Sequence, residues 1–210
     1  MRPAQERPIV YVIDDDPSIR NAIEDLLQSV GLDARVFPSA QEVLRAPKAD
    51  SPACLVLDVR LPGQSGLDFQ RQLAGTPREL PIVFITGHGD VPMSVRAMKS
   101  GAVEFLMKPF RDQELIDAIQ SAIAADRERR AEAGGLAEAR DRMDTLTPRE
   151  RDVLLQVVSG RLNKQIAADL GMSEATVKMH RGSVMRKMHA ESLPELVRLA
   201  DRLGVTAKVR

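Results

Sequence analysis

The chain has 210 residues, which is long for one ordinary domain and comfortable for two, and its formal net charge is zero. Residues 1–121 carry 13 basic and 17 acidic side chains, whereas residues 145–210 carry 12 basic and 7 acidic ones, so the C-terminal part favours a polyanionic partner. The single cysteine excludes an intrachain disulfide. The apolar runs are too short to span a bilayer, and residues 1–8 lack the apolar stretch of a signal peptide. We therefore expect a cytoplasmic protein with no membrane partner.

Four short apolar runs each end at a polar or charged residue. The runs cover residues 9–13, 54–57, 81–85 and 102–107, and the residues that follow them are Asp14 and Asp15, Asp58, Thr86, and Lys108. Short apolar runs closed by Gly or Pro are typical of buried strands that open into loops. If the strands lie parallel in one sheet, their carboxyl ends meet at one edge, where open α/β sheets bind ligands. The pattern therefore predicts three acids, a hydroxyl and a lysine at that edge.

The segments between these runs are predicted to be helices. Asp16 and Pro17 mark a helix start, so Asp16 is interpreted as an N-cap rather than as a metal ligand. A short strand is predicted at residues 34–37. Further helices are predicted to begin after Ser39 and at Gly66, Val91 and Asp112. Alternation of strands and helices with short loops predicts a parallel sheet covered by helices on both faces.

The acidic edge indicates a particular chemistry. Three carboxylates close together repel one another unless a divalent cation neutralises them, and hard oxygen ligands with room for water suit Mg²⁺. A carboxylate beside such a cation can attack a phosphoryl group and become an acyl phosphate, which a lysine and a hydroxyl would stabilise. An aspartate such as Asp58, taken alone, is more often a turn or capping residue. The other strand-end residues are what favour phosphoryl acceptance.

Residues 8–123 resemble the receiver domain of two-component response regulators, because Asp-Asp, Asp, Thr and Lys-Pro occur in the same order at the same strand ends. The resemblance implies a five-stranded, parallel, doubly wound, flavodoxin-like α/β fold with strand order 2-1-3-4-5. It also implies a sensor histidine kinase as partner, Mg²⁺ as cofactor and Asp58 as phosphoacceptor. The ligands that it implies for Mg²⁺ are Asp14, Asp15, Asp58 and the backbone carbonyl of Arg60, and the residues that it implies to respond to the phosphoryl group are Thr86, Phe105 and Lys108.

Residues 124–142 continue the fifth helix with a sequence that is polar on every side. Gly134 and Gly135 are predicted to interrupt this continuation. We interpret the segment as a helical linker with a glycine hinge, and plain disorder is the alternative.

The last segment, residues 143–208, contains signals for several short helices. Thr147 and Glu150 form a capping-box pattern, and two further N-caps are predicted at Asn163 and Ser173. The two helices that these N-caps open are joined by a short turn that contains a glycine, which predicts a helix-turn-helix within a small all-α domain of four helices. A helical bundle without a ligand is the alternative.

Basic and polar residues on the outer side of this segment favour DNA binding. Lys178 and Met179 are predicted to face base edges, while the other residues hold the helix in register through phosphate contacts. The candidate DNA contacts are Lys164, Thr176, Lys178, Met179, Arg181, Arg186 and Lys187.

This segment also resembles the LuxR-type DNA-binding domain, through residues 146–150 and 176–181. The whole chain is similar to the NarL/FixJ family and is nearest to its FixJ-like members, through residues 86–92 and 108–110. The resemblance implies a regulator that is phosphorylated on Asp58, forms a homodimer when phosphorylated and binds double-stranded promoter DNA. RNA polymerase is a further candidate partner.

The rival interpretation is a small aspartyl-phosphate enzyme of the haloacid-dehalogenase kind, which also uses Asp, Thr and Lys. Such an enzyme needs a second acid two positions after its nucleophile, and that position is Arg60 in this chain. We therefore expect no enzyme activity beyond self-phosphorylation and self-dephosphorylation. The histidines His88, His180 and His189 are interpreted as surface or structural residues.

Overall fold

The computed structural model describes residues 7–205. The chain divides into two compact units, Met1–Arg130 and Ala131–Arg210. The domain bounds 8–123, 124–142 and 143–208 stay predictions, and the last three residues of the third range lie outside the described residues.

Residues 7–205 form five strands and nine helices. The strands are β1 (Ile9–Ile13), β2 (Asp33–Phe37), β3 (Ala53–Asp58), β4 (Ile82–Thr86) and β5 (Glu104–Met107). The helices between and after them are α1 (Pro17–Ser29), α2 (Ala40–Arg45), α3 (Gly66–Leu73), α4 (Val91–Lys99) and α5 (Asp112–Asp144). The last four helices are α6 (Pro148–Val158), α7 (Asn163–Leu170), α8 (Glu174–Lys187) and α9 (Leu193–Arg202).

The five strands form one parallel sheet in the order β2-β1-β3-β4-β5. This order confirms the flavodoxin-like fold that the sequence resemblance implies. Every residue of β3 is buried, because the strand lies in the middle of a sheet that helices cover on both faces. The sheet separates two apolar cores, one containing Phe69 and Phe84 and the other containing Leu27 and Leu115. These cores hold in place the strand ends that carry the polar residues.

Capping bonds set the start of most helices in the first unit. The Asp16 carboxylate accepts a hydrogen bond of 2.8 Å from a backbone N–H in the first turn of α1, and Pro17 opens that helix. The predicted N-cap is therefore confirmed. Ser39 precedes α2 as expected, but its side chain makes no capping bond.

Helix α5 runs without a break from Asp112 to Asp144. The prediction that Gly134 and Gly135 interrupt the helix is therefore wrong, although each exposed glycine costs a helix up to about 1 kcal/mol relative to alanine. The helical part of the linker prediction is confirmed, but the segment is not exposed to solvent along its whole length. Asp126 and Ala139 are buried.

Asp126 anchors α5 to the start of β3. Its carboxylate accepts a hydrogen bond of 2.9 Å from the backbone N–H of Ala53 and pairs with Arg129 at 2.5 Å and with Arg130 at 2.7 Å. Arg130 also donates to two backbone carbonyls in the loop before β3, at 2.6 and 2.9 Å. Burial opposes the charge of Asp126, but these bonds outweigh it and lower the pKa of the carboxyl group.

Replacing Asp126 by Asn is expected to destabilise the first unit by about 2 kcal/mol, because the two arginines lose their shared anion. We expect a smaller loss of stability than for a fully buried ion pair, since the side chains of Arg129 and Arg130 are 40% and 26% exposed. The lowered pKa also adds a pH dependence. The stabilisation is fully present above the ordinary carboxyl pKa, near 3.8, and is lost as the pH falls towards the lower folded-state value.

Tyrosine fluorescence during urea unfolding measures this effect, because Tyr11 is the chain's one tyrosine and lies in β1. The exposed Glu128 in the same helix provides the control, as Glu128→Gln removes an acid without touching the anchor. Equal shifts of the unfolding midpoint in the two variants would contradict the role assigned to Asp126.

In the second unit, α6 to α9 enclose a third apolar core that includes Val153 and Ile166. The capping box at the start of α6 is confirmed. Thr147 Oγ1 accepts from the backbone N–H of Glu150 at 3.3 Å, and the Glu150 carboxylate accepts from the backbone N–H of Thr147 at 2.8 Å. Within residues 7–205, no helix is both long enough and apolar enough to cross a membrane.

The turn between α7 and α8 differs from the prediction in one respect. Leu162, rather than Asn163, is the N-cap of α7. Gly171 ends that helix in the left-handed conformation at φ 63°, which glycine adopts without steric cost. The Ser173 hydroxyl accepts from the backbone N–H of Thr176 at 3.1 Å, which confirms the predicted N-cap of α8.

Candidate functional sites

The polar residues at the strand ends lie together at one edge of the sheet. Strand β1 ends directly before Asp14, and β3 ends with Asp58. The pairing of Ile13 with Leu57 keeps the ends of β1 and β3 level, and the pairing of Asp58 with Ile85 does the same for β3 and β4. The register of the parallel strands therefore collects these side chains at one edge.

Three carboxylates form the acidic part of this edge. One oxygen atom from each of Asp14, Asp15 and Asp58 lies within 4.8 Å of the others. Asp14 and Asp58 are buried, whereas Asp15 is exposed. Burial raises the pKa of Asp14, although hydrogen bonds from Lys108 and from the backbone of Asp16 work in the opposite direction. Carboxylate oxygens with one exposed side suit Mg²⁺, which keeps several water ligands.

Lys108 is the cation of the site. Its Nζ lies 2.5 Å from Asp14 Oδ2 and 2.7 Å from Asp58 Oδ2. Burial opposes the charge of this ammonium group, but the two carboxylates outweigh burial and raise its pKa. The charged lysine therefore neutralises part of the acidic set. The peptide bond that joins Lys108 to Pro109 is cis.

The loop after β3 fixes the orientation of Asp58. The backbone N–H of Arg60 donates to Asp58 Oδ1 at 2.8 Å. Helix α3 begins at Gly66, where a Cβ atom would lie 2.4 Å from the carbonyl oxygen of Asp58. Only glycine permits this approach, so Gly66 is a site residue whose role the sequence analysis missed. Its sequence signal was a glycine at the first position of a helix, where other residues are more common.

Thr86 ends β4, and Phe105 lies in the neighbouring strand β5. The Thr86 side chain is buried, and its Oγ1 accepts from the backbone N–H of His88 at 3.3 Å. Among the described residues, no hydrogen bond joins this hydroxyl to Lys108 or to a carboxylate. The half-buried ring of Phe105 lies 6.2 Å from the ring of Phe84, measured between centroids.

Arg20 is a second residue of the site that the sequence analysis missed. It lies near the start of α1, and its Nη1 donates to the backbone carbonyl of Asp14 at 2.6 Å. Nothing in the local sequence distinguishes this arginine from one on an exposed helix surface.

Helices α7 and α8 form the helix-turn-helix. Val177 and Val184 of α8 are buried in the core, which turns Lys178 and Met179 outwards. Met179 is 63% exposed. Of the other candidate DNA contacts, Lys164 and Arg186 are exposed, and Thr176, Arg181 and Lys187 are half-buried.

Two of these candidates have partners inside the unit. Arg181 donates to the side-chain oxygen of Asn163 at 2.8 Å and so joins α7 to α8. Lys187 pairs with Glu150 at 2.7 Å, and Ser183 donates to the same carboxylate. The bonds from Lys187, Ser183 and the Thr147 backbone lower the pKa of Glu150 to about 2. These partners were not evident from the sequence, and DNA contact by Arg181 and Lys187 stays a prediction.

Comparison with known families agrees with this architecture. Residues 10–120 match the response regulator receiver domain. Residues 144–200 match the family described as bacterial regulatory proteins, luxR family. A receiver domain followed by a LuxR-type helix-turn-helix defines a response regulator that acts on transcription.

Several known proteins are similar to this chain along almost their whole length. Nodulation protein W of Bradyrhizobium diazoefficiens is 52% identical over 204 residues, which cover 97% of this chain and 90% of the relative. Transcriptional regulatory protein FixJ of the same organism is 44% identical over 201 residues, which cover 93% and 96%. The solved structure of response regulator StyR matches with a TM-score of 0.78 at 44% identity and covers 93% of this chain and 99% of the StyR chain.

The chain therefore belongs to the NarL/FixJ family of response regulators. It is a phosphorylation-dependent regulator of transcription. The receiver domain implies a histidine kinase as partner, and the LuxR-type domain implies DNA binding.

Proposed function

We propose that Asp58 accepts a phosphoryl group from a sensor histidine kinase and that this step switches promoter binding by the helix-turn-helix. The simultaneous contact of Lys108 with Asp14 and Asp58 carries the proposal. Asp14, Asp58 and Lys108 come from the ends of three different strands, and two of them surround the Asp58 carboxylate. Phosphoryl acceptance requires such an arrangement of charged groups around the nucleophile.

In the proposed reaction, Asp58 Oδ2 attacks phosphorus, and the bond between phosphorus and the histidine nitrogen of the kinase breaks. The products are an acyl phosphate on Asp58 and a free imidazole. The backbone N–H of Arg60 holds Oδ1 and so orients the nucleophile. The Lys108 ammonium, which contacts Oδ2 before the reaction, would then pair with a phosphoryl oxygen. The Thr86 hydroxyl, which accepts a hydrogen bond from the His88 backbone, would turn and donate to a second phosphoryl oxygen.

The proposed ligands of Mg²⁺ are the carboxylates of Asp14, Asp15 and Asp58 and the backbone carbonyl of Arg60. The clustering of the three carboxylate oxygens within 4.8 Å supports this assignment. When bound, the cation neutralises the carboxylates and polarises the phosphoryl oxygens. Arg60 supplies no acid or base for hydrolysis, so turnover of outside phosphoesters is not part of the proposal, and the protein would catalyse only its own phosphorylation and dephosphorylation.

The proposed homodimer forms through the outer face of α4 and β5, which we call the α4–β5 patch. Its exposed apolar side chains are Val91 (75% exposed), Val95 (44%), Met98 (44%) and Met107 (46%). Val91, Val95 and Met98 share one face of α4 by their spacing, and exposed apolar side chains grouped in this way favour protein contact. Phe105 lies in β5, so movement of its ring on phosphorylation would reshape this patch.

On DNA, α8 would enter the major groove with Lys178 and Met179 at base edges. Phosphate contacts would come from Lys164, Thr176 and Arg186. Arg181 and Lys187 remain candidates, but their bonds within the unit support a role in holding the helices.

Genome-wide selection of DNA fragments with and without a small phosphoryl donor tests the proposal. We expect a common sequence to be enriched strongly when the donor and Mg²⁺ are present and weakly when they are absent. Selection of the same fragments at the same yield under both conditions would contradict phosphorylation-dependent binding.

Lys178→Ala and Arg186→Ala are expected to weaken binding to the selected operator in different ways. Loss of a base contact by Lys178 should cost about 1–3 kcal/mol and relax the preference at one base pair. Loss of a phosphate contact by Arg186 should weaken binding to all sequences alike and reduce the salt slope by about one counterion. Salt titrations on operator and random DNA measure both effects. The assignment fails if both variants lose the same affinity on both DNAs.

A further inference from the structure

Asp15 is the most exposed of the three clustered carboxylates, and its side chain accepts no hydrogen bond within residues 7–205. The other two acids are held directly. Asp14 accepts from the backbone N–H of Asp16 at 3.0 Å and from Lys108 at 2.5 Å, and Asp58 accepts from the backbone N–H of Arg60. Among the described residues, the backbone of Asp15 is therefore what limits where its carboxylate can lie.

Arg20 holds that backbone. The carbonyl of Asp14 belongs to the peptide group that joins Asp14 to Asp15, so its direction fixes the plane from which Asp15 extends. Arg20 Nη1 donates to this carbonyl at 2.6 Å, and a hydrogen bond from a charged guanidinium is stronger than a neutral one. The backbone N–H of Arg20 also bonds to the Asp16 carbonyl at 3.1 Å. That backbone bond is the first bond of α1 and would form with other residues at this position, so it is the guanidinium that ties the Asp14 carbonyl to the helix.

The guanidinium forms no ion pair with a carboxylate in the described part of the chain. It is half-buried, and its close partner is a carbonyl rather than an acid. A role in balancing the charge of the acids would place the guanidinium against a carboxylate oxygen, as Lys108 is placed. The geometry therefore favours a backbone-holding role.

We propose that Arg20 is a positioning residue for the metal site, which holds the Asp14–Asp15 peptide so that the Asp15 carboxylate faces the cation. This inference rests on the proposed Mg²⁺ site. Residues that orient metal ligands from outside the coordination sphere typically change metal affinity by about 10- to 100-fold when replaced. Because Arg20 holds one of several ligands, we expect the lower end of that range.

Whether replacement of Arg20 strengthens or weakens Mg²⁺ binding distinguishes a positioning role from a purely electrostatic one. Removing a positive charge near an acidic site should strengthen binding of a cation if charge alone matters. Removing a positioning group should weaken binding, because Asp15 then has to be ordered when the cation binds.

Isothermal titration of the unphosphorylated full chain with Mg²⁺ measures this sign without any reaction. We expect Arg20→Met to bind Mg²⁺ about tenfold more weakly than the wild type, and Arg20→Lys, which keeps a charged donor, to recover part of the loss. The control is Arg45→Met, which removes the same charge from an exposed position at the end of α2. Circular dichroism confirms that each variant is folded.

Equal or tighter binding by Arg20→Met than by Arg45→Met overturns the inference. A wild type that binds no Mg²⁺, or whose affinity is unchanged by Asp15→Asn, instead contradicts the proposed metal site. The two failures are therefore distinguishable.

Discussion

Replacing Asp58 by Asn is expected to reduce labelling by a phosphoryl donor to background. A carboxamide is a far poorer nucleophile than a carboxylate, and the other acids of the site serve in our account as metal ligands, not as acceptors. The measurement is the incorporation of labelled phosphate from a small acyl phosphate, with Mg²⁺ present, into the full chain. The label on the wild type should be released by hydroxylamine, which cleaves acyl phosphates.

Asp68→Asn is the matched control, because Asp68 lies in α3 on the exposed surface and pairs with Arg71 rather than with the site. This variant should take up label like the wild type. An undiminished hydroxylamine-sensitive label on Asp58→Asn would show that another acid is the acceptor.

Phosphorylation is expected to raise affinity for the operator by about 10²- to 10⁴-fold. A dimer joins two weakly binding α8 helices, so that once one helix is bound the second binds at a high effective concentration. Fluorescence anisotropy with labelled operator DNA, before and after phosphorylation, measures the change. Val95→Asp introduces a charge into the α4–β5 patch and should remove most of this gain while Asp58 is still phosphorylated.

Val30→Asp is the control for this variant. Val30 follows α1 and is 45% exposed, nearly the same as Val95 at 44%, but it lies outside the α4–β5 patch. It should retain the full gain in affinity. A Val95→Asp protein that gains as much as Val30→Asp would exclude the α4–β5 patch as the dimer contact.

The sequence predicted the main features of the receiver because they depend on local signals. An apolar run that ends in Asp58 or Lys108 marks both a strand and its carboxyl end, and the parallel register then brings such ends together without further information. Strand order came from the family resemblance, since alternation of strands and helices alone is compatible with several orders. The capping signals at Asp16, Thr147 and Ser173 were also local, and each was confirmed by a hydrogen bond.

The features that sequence analysis missed depend on contacts between distant residues. Asp126 looked like one charge among many, yet it is buried against Ala53, a residue 73 positions away. Lys187 looked like a free cation, but Glu150 lies 2.7 Å from it. The glycine pair in α5 was given too much weight as a helix breaker, because glycine only lowers helix propensity and the surrounding alanine and charged residues favour the helix.

Sedimentation of the full chain, with and without an acyl-phosphate donor and Mg²⁺, tests the central claim most directly. Our account predicts a mainly monomeric protein without the donor and a dimer of twice the mass with it, and it predicts that Asp58→Asn stays monomeric under both conditions. A mass that does not change while Asp58 is demonstrably phosphorylated would contradict the account.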